Sequence, residues 1–367
     1  MNTPATTLPT YTWEPTTDAL AARYGLPQES IVRFDVNTSP VAPDMRDVLT
    51  GQFDPALCEY PPSDYATLVE AAAESYGVSP DELLPTAGAD EAIDLIARAT
   101  LREGSVAVIV PPTYDMYRIV SEQRGARVVT APRRDATFTP DTPAIVRAAR
   151  TASLVWLCEP NNPTGTYMPP ERVADLLERL EADAASNGRE APVVAVDEAY
   201  AEFVDRSVLP LRSHYPKLVV IRTLSKAHAL AGIRVGFAVA RPETLAPIMA
   251  YRAPASVGTV SAALATASLR RPDLVAAIVN RTTVERTRLF LDLMELGWRP
   301  HPSTANFILV RFSSPAAATG AAEALLRKGL VPRTFGPEHP LADCLRFTVR
   351  SEAENDRLME AARGITA

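Results

Sequence analysis

Between Leu83 and Ala240 the chain alternates short, almost wholly apolar runs with longer amphipathic stretches, and this constrains the fold more than any other feature. The runs are Val106–Val110, Ser153–Leu157, Pro192–Val196, Leu218–Ile221 and Val235–Ala240. They are rich in Val, Ile and Leu and lack a polar face, which suits strands covered on both sides. Such strands separated by helices predict a mainly parallel sheet with helices packed on each face. In open α/β sheets, ligands bind just past the carboxyl ends of the strands. The residues that follow each run are therefore the candidates for chemistry.

Those residues differ in chemical kind. Val110 is followed by Tyr114, and Leu157 by Asn161-Asn162-Pro163-Thr164-Gly165. Val196 delivers Asp197 and then Tyr200, and Ile221 delivers Thr223, Ser225 and Lys226, with Arg234 eight residues on. Each has an ordinary reading: Asn-Pro-Thr-Gly makes a good turn, a strand-ending Asp commonly caps a helix, and most lysines are solvated. Their arrival at one sheet edge is harder to explain one residue at a time. The helix start at Gly88-Ala89-Asp90 adds unpaired backbone N–H groups that suit a phosphate, and Thr223, Ser225 and Arg234 add donors for the same anion. An amine in apolar surroundings can form Schiff bases. With a phosphate cradle, an aromatic face and an isolated carboxylate beside it, the set suits a phosphorylated heteroaromatic aldehyde, and pyridoxal 5′-phosphate is such a molecule. No G-x-G-x-x-G or Walker lysine loop is present, which disfavours nucleotides.

A length of 367 residues allows two domains, and the 47% apolar and 22% charged content is that of an ordinary globular protein. A net charge of -7 argues against nucleic acid as an obligate partner. The three cysteines, Cys58, Cys158 and Cys344, are far apart and read as buried thiols of a reducing compartment, and the four histidines show no metal-ligand spacing. Neither a membrane-length apolar run nor a signal segment is evident, so a cytoplasmic location is expected. Residues 1–27, rich in Thr and Pro with Tyr11 and Trp13 as anchors, read as an arm or loop outside the core. A short strand, Ile31–Val36, follows. Beyond Ser256 come long helices at Val260–Leu269 and Leu274–Leu296, then strands at Asn306–Val310 and Leu345–Val349 with helices at Ala317–Lys328 and Glu352–Arg363. The expected architecture is α/β: a three-layer, mainly parallel sheet in a large domain over residues 38–258. A smaller α+β domain, from residues 1–37 and 259–367, would take up the N-terminal strand.

From about Asp35 to Ala362 the chain resembles the fold-type I pyridoxal-phosphate aminotransferases (class I/II), and among them the histidinol-phosphate aminotransferase group. The motifs that carry the resemblance are Tyr60-Pro61, Gly88-Ala89-Asp90-Glu91, Pro112-Thr113-Tyr114, Asn161-Asn162-Pro163-Thr164-Gly165, Asp197-Glu198-Ala199-Tyr200, Thr223-Leu224-Ser225-Lys226 with Arg234, and Leu345-Arg346-Phe347-Thr348-Val349 with Asn355. The resemblance implies an aspartate aminotransferase-like large domain and the following roles. Lys226 would bind the cofactor covalently and, once released, shuttle the proton. Asp197 would face the pyridine nitrogen, Asn162 and Tyr200 the ring oxygen, and Tyr114 the ring face. Ala89, Asp90, Thr223, Ser225 and Arg234 would hold the phosphate, joined by Tyr60 of a neighbouring subunit, which implies a homodimer. Arg346 would clamp the substrate carboxylate, with Arg333, Asn37 and Tyr11 near the substrate. Two departures stand on the substrate side: Asn37-Thr38-Ser39-Pro40 where the group often has Asn-Glu-Asn-Pro, and Arg350 where it usually has glycine. The implied reaction is transamination of histidinol phosphate, an amino donor, with the 2-oxo acid 2-oxoglutarate. Rival activities are an aromatic amino acid aminotransferase and a phosphothreonine decarboxylase. A non-catalytic cofactor-binding regulator would need a DNA-binding module, and none precedes Asp35.

Overall fold

The computed structural model describes residues 8–45, 58–134 and 137–365. A short strand, β1 (Val32–Arg33), precedes the central sheet of β2 (Leu83–Thr86), β3 (Val106–Ile109), β4 (Arg127–Thr130), β5 (Leu154–Cys158), β6 (Val193–Asp197), β7 (Leu218–Thr223) and β8 (Gly236–Val239). Its seven strands lie in the order β2-β8-β7-β6-β5-β3-β4. From β7 to β4 every neighbouring pair is parallel, while β8 runs antiparallel to both β2 and β7. The mainly parallel sheet read from the apolar runs is thus present.

Alternate residues of each strand feed two separate cores. On one face Val155, Leu157, Val196, Val220 and Phe237 pack with the helices Ala66–Tyr76 and Pro170–Ser186. On the other, Trp156, Ala195, Val219, Ile221 and Ala238 pack with Ala89–Thr100, Met116–Gln123 and Pro242–Met249. This is the period-2 alternation of a strand with both faces covered, and it is why the runs show no polar side. Register brings the strand ends level: Cys158 pairs with Asp197, Asp197 with Ile221, and Thr223 with Gly236.

The C-terminal part adds β9 (Arg299–Pro300), β10 (Phe307–Arg311), β11 (Leu330–Val331) and β12 (Cys344–Thr348). β10 lies between β12 and β9, antiparallel to each. β1 pairs in parallel with β11, so the N-terminal strand joins this unit as the sequence suggested. A small cluster of Ala199, Tyr200, Phe203, Ala227, Ala305 and Phe307 packs the strand ends of the central sheet against β10.

Three readings need correction. The arm is not wholly irregular: Thr17–Tyr24 is a helix, capped by the Thr16 hydroxyl accepting from the Ala19 N–H at 3.2 Å and ended by Gly25 at φ 65°. It buries Leu20 and Ala21; residues 1–7 of the arm lie outside the described residues. The strand expected over Ile31–Val36 is only Val32–Arg33, because its partner β11 offers two residues. Of the cysteines, Cys158 and Cys344 are buried but Cys58 is exposed, and all three are free thiols.

Candidate active site

A cavity of about 410 Å³ opens at the carboxyl ends of β5, β6 and β7, a size typical of small-molecule sites. Fourteen of the fifteen candidate residues line it: Tyr11, Asn37, Ala89, Asp90, Tyr114, Asn162, Asp197, Tyr200, Thr223, Ser225, Lys226, Arg234, Arg333 and Arg346. Tyr60 does not, and its side chain is 91% exposed. Among the described residues no cluster of His, Cys, Asp and Glu could hold a metal ion.

Lys226 follows β7 directly, part-buried, with its Nζ 5.8 Å from the centroid of the Tyr200 ring. Burial lowers its pKa to about 8; the positive charges of Arg346 and Arg234 push the same way, against Asp90 and Asp197. A neutral amine is therefore readily reached near physiological pH, as a nucleophile or proton carrier requires. Asp197, at the end of β6, is buried. Its Oδ2 accepts from the Tyr117 hydroxyl at 2.7 Å, and its Oδ1 from the Ala199 N–H at 2.9 Å. Desolvation raises its pKa to about 6, and these two donors limit the rise. Tyr117 is fully buried and stacks on Trp156 with ring centroids 5.2 Å apart. It was not singled out from the sequence, where it reads as one core position of the helix Met116–Gln123.

The helix Ala89–Thr100 starts at Gly88, which offers no side-chain cap, so its first-turn N–H groups gain no partner from that residue. Gly88 sits at φ 81°, and a Cβ there would lie 2.6 Å from Arg234 Nη2. A Cβ on Gly236 would lie 2.7 Å from the Gly88 carbonyl carbon and 2.9 Å from the Ala89 nitrogen. The two glycines thus let β8, the helix start and Arg234 close together. Arg234 Nη1 donates to Ser225 Oγ at 3.3 Å and Nη2 to Asp90 Oδ2 at 3.2 Å, while Thr223 Oγ1 donates to Ser225 Oγ at 3.0 Å. Tyr114 donates to Asp90 Oδ1 at 3.1 Å. An uncapped helix start, two hydroxyls and a guanidinium are groups that could hold a phosphate dianion, with the Asp90 carboxylate beside them.

At the other end, Arg346 on β12 is 6% exposed and donates only to neutral acceptors, Asn162 Oδ1 and the Asp35 carbonyl. Its Nε has no hydrogen-bond partner among the described residues. A buried guanidinium held by neutral acceptors, with a donor to spare, is prepared for an anion. Burial, helped by the nearby Arg333, lowers its pKa to about 10. Because arginine only donates, Asn162 must turn its oxygen to Arg346 and keep its Nδ2 as a donor. Arg333 pairs backbone to backbone with Arg346 at 2.9 and 3.0 Å, and its guanidinium meets Glu14 of the arm. Glu14 was also missed, since nothing local marks an acidic residue in a Thr/Pro-rich arm. Tyr11 packs edge-on to Trp13 at 5.2 Å and to Tyr114 at 6.4 Å.

Asn37 adopts φ 53° and is fixed by Thr348, which accepts its N–H at 2.9 Å, and by Asn306, which donates to its carbonyl at 3.0 Å. Its Nδ2 donates to the Tyr200 hydroxyl at 3.1 Å. Of the two sequence departures, Thr38 lines the cavity but Arg350 does not. The Arg350 guanidinium binds Glu354 at 2.8 Å and the Thr38 carbonyl at 3.4 Å, so it braces the segment behind the site.

Comparison with known proteins places this geometry. The family model for aminotransferase class I and II matches residues 38–361. A histidinol-phosphate aminotransferase of Roseiflexus castenholzii is 35% identical over 359 residues, covering 95% of this chain and 93% of the relative. One of Thermococcus gammatolerans is 39% identical over 296 residues, covering 81% and 79%. Among solved structures, the histidinol-phosphate aminotransferase of Sinorhizobium meliloti in complex with pyridoxal-5'-phosphate superposes with a TM-score of 0.86 at 26% identity, covering 96% of this chain and 95% of that one. The chain belongs to the aminotransferase class I and II family.

Proposed function

We propose that the protein is a pyridoxal 5′-phosphate-dependent aminotransferase that moves the amino group of L-histidinol phosphate to 2-oxoglutarate, the reaction of histidine biosynthesis. The observation that carries this reading is the Lys226 amine, held near pKa 8 in one cavity with a buried carboxylate, a phosphate cradle and two arginines. The fit of the cofactor rests on the uncapped start of helix Ala89–Thr100, on the donors of Thr223, Ser225 and Arg234, and on Asp197, which a ring cation would neutralise. When bound, the cofactor supplies the carbon that receives the amino group and a ring that takes up carbanion electrons.

The residues supply the rest. Lys226 would hold the cofactor and, once displaced by the donor amine, carry the proton between the two reacting carbons. Asp197, held by Tyr117, would keep the ring nitrogen protonated. Tyr200 and Asn162 would donate to the ring oxygen, with Asn37 orienting Tyr200 and Arg346 orienting Asn162. Tyr114 would cover the ring. Ala89, Asp90, Thr223, Ser225 and Arg234 would bind the phosphate. Arg346 and Arg333, on adjacent segments, supply two positive charges. Histidinol phosphate presents one phosphate and 2-oxoglutarate two carboxylates, and both must use the same cavity in turn.

The exposure of Tyr60 supports a homodimer in which the partner's Tyr60 completes the phosphate site. We read residues 38–258 as the cofactor-binding unit and residues 1–37 with 259–367 as the smaller one, in a protein of the cytoplasm. Among the described residues no helix is long and apolar enough to cross a membrane.

Purified holoenzyme should form glutamate from 2-oxoglutarate with histidinol phosphate at a kcat/KM well above that for phenylalanine. It should release no carbon dioxide from phosphothreonine. Preference for phenylalanine, or release of carbon dioxide, would replace the substrate assignment with the corresponding rival.

A further inference from the structure

The arm runs along the cavity, with Tyr11, Trp13 and Glu14 lining it. At one end Gln123 donates to the Pro9 carbonyl at 2.8 Å and Tyr11 lies against Tyr114. At the other, Thr17 accepts from Arg33 at 3.4 Å, and Arg33 is itself committed to Asp35 through two bonds of 2.8 and 2.7 Å. Midway, Glu14 lines the cavity and pairs with Arg333, the two side chains 28% and 21% exposed. Of the two cavity arginines on adjacent segments, Arg346 therefore meets only neutral acceptors, while Arg333 already carries a carboxylate.

We propose that Glu14 is a specificity-determining residue, an internal carboxylate that the charged end of the substrate must displace from Arg333. This rests on the substrate reading given above and adds a residue to it. A phosphate dianion competes for the guanidinium with twice the charge of a carboxylate and can bind it in the same forked geometry. A substrate with an uncharged end has nothing with which to displace Glu14. The pair thus weakens the binding of donors with an anionic end, leaves those with an uncharged end unaffected, and so narrows the preference for phosphorylated donors. Because the pair is partly solvated, the effect is modest: ion pairs of this kind are worth about 0.2–1 kcal/mol, so relief of the competition amounts to at most about fivefold.

The test uses the holoenzyme, whose cofactor fills the other phosphate site, titrated calorimetrically with inorganic phosphate. Glu14→Gln should bind phosphate about two- to fivefold more tightly than wild type, and the gain should vanish when Arg333→Ala is added. In steady state, the ratio of the KM for phenylalanine to that for histidinol phosphate should rise by the same factor in Glu14→Gln. A merely structural arm residue would move both KM values together. Phosphate affinity in Glu14→Gln that is unchanged or weaker, or a gain that survives Arg333→Ala, overturns the proposal. If phosphate binding tightens as stated while histidinol phosphate proves not to be a substrate, the Glu14 inference stands and the substrate reading falls.

Discussion

Replacing Asp197 by asparagine separates what this carboxylate does for the apoprotein from what it does for the reaction. The folded protein holds Asp197 at about pH 6 against an ordinary 3.8, mainly because the ionised form is desolvated. At about 1.4 kcal/mol per pH unit, keeping it ionised above pH 6 costs the apoprotein about 3 kcal/mol. The sign follows from linkage: between the two values the folded state binds the proton more tightly than the unfolded state, so stability falls as pH rises through that window. The Asn side chain can still accept the Ala199 N–H and donate to the Tyr117 oxygen, so little packing is lost. Apo Asp197→Asn should therefore be more stable than apo wild type at pH 8, by up to about 3 kcal/mol. For a chain of this length that is about 3–4 °C in Tm. The gap should shrink to about half at pH 5, where wild-type Asp197 is largely protonated when folded. Turnover should fall steeply, because the variant cannot hold a charged ring nitrogen. Paired apo melting scans at pH 8 and pH 5 measure this. A variant no more stable than wild type at pH 8, or a gap that does not depend on pH, would refute the electrostatic argument.

Lys226→Met should abolish turnover and stabilise the apoprotein. The folded pKa of about 8 lies below the ordinary 10.5, so the penalty on the protonated amine is complete below pH 8 and gone above 10.5; melting scans across that range check it. Arg346→Ala leaves Asn162 and the Asp35 carbonyl without their donor, and should lower kcat/KM for the dicarboxylate acceptor by about 10- to 150-fold. Arg346→Lys should recover little, since an ammonium cannot make the same forked contacts. Tyr117→Phe removes one of the two donors on Asp197 and should weaken cofactor binding by about five- to tenfold, read by equilibrium dialysis of the cofactor.

The parallel sheet was legible because strands buried on both faces must be apolar throughout, and Leu218–Ile221 could hardly be anything else. The cofactor end of the site was legible for the same reason, as Asp197 and Lys226 follow such strands within a few residues. What the residues show only in the fold, Arg346 having been named through the resemblance alone, depends on contacts between distant parts of the chain. Arg346 looks like any strand arginine until β12 places it against Asn162 and the Asp35 carbonyl. Tyr117 reads as a helix core residue until its hydroxyl is seen to end on Asp197. Glu14 acquires meaning only because the arm folds back over the cavity to Arg333. The helix Thr17–Tyr24 was hidden by low hydrophobicity, since only Leu20 and Ala21 are buried.

The most direct test of the central claim is a half-reaction without acceptor. Wild-type holoenzyme is mixed with L-histidinol phosphate while the visible absorbance of the cofactor is followed. The band should bleach with one donor consumed per Lys226 site and return when 2-oxoglutarate is added. A band that persists with histidinol phosphate, or that bleaches and does not return with 2-oxoglutarate, would contradict that claim.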